Sequence, residues 1–401
     1  MKKFNSILLL LVLSLLSSNC NKDDDIVLPV PSGNAFIFDL ATKDVSGISG
    51  RVMFVENTDT SITIISNISG TPEGGEHPAH IHFNTASEGG GIALSLGSID
   101  GDSGKSEITI SALDDGTPIT YAEFLNFDGY INVHLSASEL GTIVAQGDIG
   151  QNVLTGTKKS FDLGAPSGFV GLISGRVTFS ERVNGEALAE IMLMGTPAGG
   201  EHPAHIHANT AAEGGGILFS FNPVDGDTGL SVTNVAAFDN GSVLTYSEIE
   251  GLDGYVNVHV SASELGTIVA QGDIGQNELT GESKVYTLAE KDAPTISGSV
   301  TFSERVNGTA LAVLEIQNTP EEGIHPAHLH DNNIATGGGI AFTFNAVDGN
   351  TGFSYTQVET LDNSTAISYD DILTYNGYIN VHLSASQLGT IVAHGNIGSN
   401  E

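Results

Sequence analysis

Only one cysteine, Cys20, occurs in the 401 residues, so no disulfide can form within the chain and its stability must come from packing and hydrogen bonds. Tryptophan is absent and aromatic residues make up 6%. Basic residues are scarce: 13 Lys+Arg stand against 48 Asp+Glu, a net charge of −35. Such a chain repels anionic membrane surfaces and excludes nucleic acid as a partner. Cations are its natural counterparts, although acidity also simply keeps an exported protein soluble. No Gly-x-Ser-x-Gly elbow accompanies a Ser-His-Asp set, and no cysteine is placed for catalysis. The glycine-rich Gly147-Asp148-Ile149-Gly150 follows no strand-to-helix pattern, which excludes a phosphate loop. These gaps favour a non-enzymatic protein.

The N-terminus has the layout of an export signal. Lys2 and Lys3 precede an apolar run from Ile7 to Leu16, then Ser17, Ser18, Asn19 and Cys20. A run of about ten apolar residues is too short to span a bilayer as a helix and fits a signal peptide over 1–19. Directly after it, Cys20 is expected to carry a lipid, as in bacterial lipoproteins. Asn21-Lys22-Asp23-Asp24-Asp25 is similar to the tract that sends Bacteroidetes lipoproteins to the cell surface. The expectation is an outer-membrane, lipid-anchored protein facing the exterior, with residues 20–33 as an acidic tether. Loss of Lys2 and Lys3 deepens the charge to −37.

Glycine is abundant, at 50 residues without a short period, which signals turns. A long period is plain. His77-Pro78-Ala79-His80-Ile81-His82 recurs 125 residues on at His202 to His207, and 123 further at His325 to His330. Gly129-Tyr130-Ile131-Asn132-Val133-His134 returns at Gly254 to His259 and Gly377 to His382, 52 residues after the first motif in each copy. Gly141-Thr142-Ile143-Val144-Ala145 follows, and returns at Gly266 and Gly389. We therefore expect three tandem domains, 34–157, 158–282 and 283–401, each of ordinary domain size.

Apolar–polar alternation at Gly50 to Val55, Ser61 to Ile65, Gly91 to Leu96 and Glu107 to Ile110 predicts strands. Thr120 to Phe127 has helical character, with Thr120 and Glu123 spaced as a capping box. The fold class is all-β: three antiparallel β-sandwich or barrel domains, immunoglobulin-like in architecture, each with one short helix.

Twelve of the 13 histidines belong to the repeated motifs. On a strand, His80 and His82 share one face while Ile81 takes the other, and Tyr130, Asn132 and His134 face away from Ile131 and Val133. His80, His82 and His134 can thus meet outside the sheet as three nitrogen ligands suited to Zn²⁺ or Cu²⁺. Their nitrogens would lie about 3–4 Å apart, each about 2 Å from one ion. The same holds for His205, His207 and His259, and for His328, His330 and His382. At most one Cu or Zn per domain is implied. Exposed histidines can also form a purely structural hydrogen-bonded cluster. His77, His202 and His325 have the wrong parity for that face. With Pro78 starting the strand, His77 would hydrogen-bond a neighbour or join the metal from a loop. Asp100-Gly101-Asp102-Ser103-Gly104 and its copies could hold Ca²⁺, but Asp-Gly is the usual hairpin turn and the turn is favoured. His394, where Gln146 and Gln271 stand in the other copies, is read as drift.

The pattern His-Ile-His, then Tyr-x-Asn-Val-His, then Ala-x-Gly-x-Ile-Gly resembles the CHRD domain, first described in chordin, over nearly all of residues 34–401. The resemblance implies an extracellular β-rich domain without a defined activity, hence a surface lipoprotein that binds an unidentified protein or glycan. Three linked domains favour avidity. A fainter similarity is to Cu/Zn superoxide dismutase, which implies a superoxide dismutase-like sandwich as the alternative to an immunoglobulin-like one. It matches His80, His82 and His134 to three copper ligands and implies, as the alternative, a copper-dependent redox protein or copper handler. The sequence departs from that family in several places. Gly89-Gly90-Gly91 offers no bridging histidine, Ile143 stands where the substrate-guiding arginine belongs, and Gln146 stands where the disulfide cysteine belongs.

Overall fold

Alternation of side chains dictates the strands. In Ser49–Asn57, Val52 and Phe54 are fully buried while Arg51 between the turn and the core is exposed. In Ile62–Ser69, Ile62, Ile64 and Ile68 turn inward. The computed structural model describes residues 29–166 and 173–401; residues 1–19, expected to be an export signal, and Cys20 lie outside them.

The first repeat forms β1 (Pro31–Thr42), β2 (Ser49–Asn57), β3 (Ile62–Ser69), β4 (Glu76–Phe83), β5 (Ile92–Asp100), β6 (Lys105–Ile110), α1 (Tyr121–Phe124), β7 (Asp128–His134) and β8 (Ile143–Gly150). They close into an antiparallel barrel in the order β1-β2-β3-β6-β5-β4-β7-β8. Strands β4, β5 and β6 follow one another by hairpins, and β7 returns to lie beside β4, which is a Greek key. The second and third repeats form eight-stranded sheets of equivalent order. The fold is thus all-β, with three barrel-like sheets. Each repeat carries one short helix: α1, Tyr246–Glu250 and Tyr369–Thr374. α1 spans less than the expected 120–127. Its predicted capping box is present, with Thr120 and Glu123 each bonding the other's backbone N–H.

By contacts the described chain groups into two compact units. One takes the residues up to Thr155 with Arg182–Asn184. The other takes Gly156–Glu181 and Gly185–Glu401, and so holds two of the sheets. Each repeat has its own apolar core. In the first, Ala79 and Ile81 of β4 face Ile131 and Val133 of β7, all fully buried.

The Asp-Gly segment at residues 100–104 is the turn between β5 and β6: Asp100 Oδ1 accepts from Ser103 N at 2.8 Å and Oγ at 2.6 Å, and Gly104 has φ +67°. Pro78 does not start its strand. β4 begins at Glu76 and runs through His77, and its pairing with β5 shifts register between Pro78 and His80. Proline is tolerated at such an irregularity because the ladder already lacks a bond there. Only in the second repeat does proline divide the strand, into Glu201–His202 and Ala204–Ala208.

Candidate metal centres

Neighbouring strands deliver the histidines. β4 pairs with β7 so that His80 lies opposite Asn132 and His82 opposite Tyr130, while Ala79 and Ile81 fill the barrel from the other face. A register shift between Val133 and His134 in the β7–β8 pairing sits where His134 leaves the ladder. Such irregularities re-aim a side chain. The same register brings His205 and His207 opposite Asn257 and Tyr255, and His328 and His330 opposite Asn380 and Tyr378.

All nine predicted ligands assemble as three trios: His80, His82 and His134; His205, His207 and His259; His328, His330 and His382. In each, one nitrogen per histidine lies within 4.8 Å of the other two. That is looser than the about 3.3 Å between ligands set tetrahedrally 2.0–2.1 Å from one zinc. His80 and His134 ring centroids are 5.2 Å apart, and those of His205 and His259 are 5.0 Å apart.

The face is less solvent-exposed than alternation alone predicts. It points away from the core, yet His134, His259 and His382 are buried at 4–6% exposure, because the loop after each folds back over the ring. Leu140 O accepts from His134 Nδ1 at 2.6 Å, and Leu388 O from His382 Nδ1 at 2.7 Å. The glycine run does the same for the second ligand. His82 Nδ1 donates to Gly90 O at 3.0 Å, His207 Nδ1 to Gly215 O at 2.9 Å, and His330 Nδ1 to Gly338 O at 3.2 Å. A carbonyl only accepts, so these rings carry their proton on Nδ1 and present a bare Nε2 lone pair. Tyr130 stacks on His82 with centroids 4.9 Å apart, and its Oη accepts from Gly90 N at 3.2 Å.

The nitrogens left over are buried and without a hydrogen-bond partner: His80 Nδ1, His82 Nε2 and His134 Nε2, and likewise His328 Nδ1, His330 Nε2 and His382 Nε2. In the second trio His205 Nδ1 and His259 Nε2 lie 3.0 Å apart and share a hydrogen bond, leaving His207 Nε2 and His259 Nδ1 unpartnered. A buried polar atom left unsatisfied costs about 1–3 kcal/mol, so three of them converging on one point call for a common partner. Rings held by one nitrogen with the other aimed inward are the arrangement metal-ligating histidines adopt. Burial, reinforced by His134 and His82, holds His80 below the ordinary histidine value. Burial likewise lowers His134, His205, His259, His328 and His382. These six imidazoles are therefore biased toward the neutral form that a metal requires.

His77, His202 and His325 are not gathered with the trios. Each is buried, and its Nδ1 lies 3.2–3.3 Å from the backbone carbonyl of the third ligand, His134, His259 or His382. They brace the strand that carries that ligand. His394 pairs in register with Asn380, where Gln146 of the first repeat instead bonds Asn132 Oδ1 at 2.9 Å.

Reasoning from the sequence missed the supports: the Gly90, Gly215 and Gly338 carbonyls, the stacking tyrosines, and Asp148 and Asp273. The repetition of the triple glycine and of the closing Gly-Asp-Ile-Gly was the available signal for the carbonyls and the aspartates. No family model, no curated protein and no solved structure matches the chain.

Proposed function

We propose that this chain is a non-enzymatic metal-binding protein that takes one Cu²⁺ or Zn²⁺ ion in each histidine trio. What carries the reading is the convergence of partnerless, buried imidazole nitrogens, with the His82 and His134 rings tied to backbone carbonyls through their opposite nitrogens. Three nitrogen donors suit either ion and leave room for a fourth ligand. The ion would neutralise the unpaired lone pairs, and the chain's residues would bind and orient it. The competing view, a structural polar cluster, draws on the second trio, where His205 and His259 bond each other.

The proposal extends to setting. The signal-like segment ahead of Cys20 and the acidic tether support a lipid-anchored outer-membrane protein displaying CHRD-like domains outward. Three linked sites favour capture by avidity of an extracellular protein or glycan.

Metal analysis of protein purified without an affinity tag tests the reading. One equivalent per trio is expected, three in all. Binding should vanish when His80, His205 and His328 are changed to Ala, with the metal-free fold intact. Protein that stays metal-free in excess Cu²⁺ and Zn²⁺ rules it out. A superoxide assay on copper-loaded protein separates turnover from holding. Protease shaving of intact cells tests surface display.

A further inference from the structure

We propose that Arg305 is a positioning residue for the second metal site, acting through Asp273 and the loop that holds His207, and that the third site lacks such a support. The inference rests on the metal-site reading and adds an inequality among the sites.

Arg305 ends the strand Ser297–Arg305, and its side chain is fully buried. Its Nη1 lies 2.7 Å from Asp273 Oδ2 and bonds the carbonyl of Asn277, and its Nε donates to Gln357 Oε1 at 2.7 Å. The two partners of Nη1 lead to one loop, 209–216. Asp273 Oδ1 accepts from Ala211 N at 2.8 Å, and Asn277 Nδ2 donates to Asn209 O at 3.1 Å. That loop ends in Gly215, whose carbonyl fixes the His207 ring. The charge-assisted bonds from Arg305 are the strong ones in this relay. They clamp the carboxylate and the turn that together hold the loop.

The first unit contains the same relay. Arg182 Nη1 is 2.7 Å from Asp148 Oδ2 and bonds the Asn152 carbonyl. Asp148 Oδ1 accepts from Ala86 N at 2.8 Å, and Gly90 of the same loop fixes His82.

In the third repeat Asn396 replaces the aspartate and accepts from Ile334 N at 3.0 Å. A neutral amide forms no ion pair. The loop's own clamp also turns neutral, with Asn333 Oδ1 accepting from Thr336 Oγ1 at 3.1 Å. Glu213 Oε2 accepts from Thr210 Oγ1 at 2.8 Å, whereas Asn333 and Thr336 stand at those positions in the third loop. The His330–Gly338 bond, at 3.2 Å, is the longest of the three equivalents.

The test uses full chains that keep one site each. His80→Ala with His328→Ala leaves the second site, and His80→Ala with His205→Ala leaves the third. Competitive Zn²⁺ titration should show tighter binding by the second-site chain. Arg305→Gln should weaken that site about tenfold or more and leave the third-site chain unchanged. In metal-free protein, imidazole ¹⁵N spectra should show a slowly exchanging His207 Nδ1–H that Arg305→Gln removes. This arm reports positioning even if no chain binds metal, so the two readings fail separately. Equal affinities of the two sites, or an Arg305→Gln protein with unchanged affinity and an unchanged His207 signal, would overturn the proposal. Should Arg305→Gln fail to fold, Asp273→Asn gives the second site the third repeat's residue. It should bring the second-site affinity down to that of the third-site chain, and no change would overturn the proposal equally.

Discussion

The second and third repeats share one compact unit, the same strand order and the same histidine trio, yet they brace that trio differently. In the second, a buried ion pair and a Thr210–Glu213 clamp back the loop behind His207. In the third, Asn396 and Asn333 stand in those places and only neutral hydrogen bonds remain. Core residues, ligands, the stacking tyrosine and the asparagine that ties the loop (Asn277, Asn400) survive between the copies, while the charged residues that hold the loop, Asp273 and Glu213, do not. A duplicated site can therefore keep its composition and differ in rigidity.

The largest expected effect breaks the comparison at its root. Arg305→Ala leaves Asp273, which is 14% exposed at its side chain, without its cation. Removing one partner of a buried pair costs about 3–5 kcal/mol. Asn396→Ala in the third repeat removes one neutral hydrogen bond, worth about 1 kcal/mol. Hydrogen exchange resolved by repeat, read along a denaturant series, should show that gap. Equal losses would mean the ion pair contributes little to holding the loop.

Glycine substitutions probe what the repeats share. A Cβ on Gly215 would meet Ala208 O at 2.0 Å, and one on Gly338 would meet Asp331 O at 2.0 Å. Gly215→Ala and Gly338→Ala should each cost about 2–3 kcal/mol and displace the carbonyl that orients its histidine. Each should weaken metal binding at its own repeat alone, as site-resolved titration would report.

The pH response should be common to both repeats. Burial holds His205, His259, His328 and His382 below the ordinary histidine value, while the unfolded chain titrates near it. The unfolded state therefore takes up protons first. Metal-free stability should be complete above about pH 6.5 and fall as pH drops through the lowered folded values. Thermal melts from about pH 7.5 to 5 should slope more steeply for the native chain than for the variant with His80, His205 and His328 changed to Ala. Matching slopes would remove the trios as the cause.

Alternation made the strands and the ligand trios legible in the sequence, because both follow from the two-residue repeat of a β-strand: Ile81 inward requires His80 and His82 outward. Three copies at a fixed spacing then tied His134 to His80 across 54 residues. The supports were not legible. Gly90 acts through a carbonyl, which every residue possesses, and Arg305 acts on a partner in another strand through a register that periodicity does not encode. The covering of His134 was missed for a related reason: alternation separates core from non-core faces, and a loop such as 135–142 decides whether the second face sees water.

The smallest effect separates stacking from hydrogen bonding behind the ligand. Tyr255 stacks on His207 with centroids 5.1 Å apart, and its Oη accepts from Gly215 N at 3.2 Å. Tyr378 does the same for His330, at 4.9 Å and 3.3 Å. Tyr→Phe keeps each ring and deletes one neutral bond, worth about 1 kcal/mol. In the second repeat Arg305, Asp273 and Glu213 still hold the loop, so Tyr255→Phe should barely move site affinity. In the third the tyrosine carries a larger share of the restraint, so Tyr378→Phe should weaken Zn²⁺ binding several-fold. Equal responses in single-site chains would show that the two loops are equally well held, and that the difference between Asp273 and Asn396 does not reach the histidines.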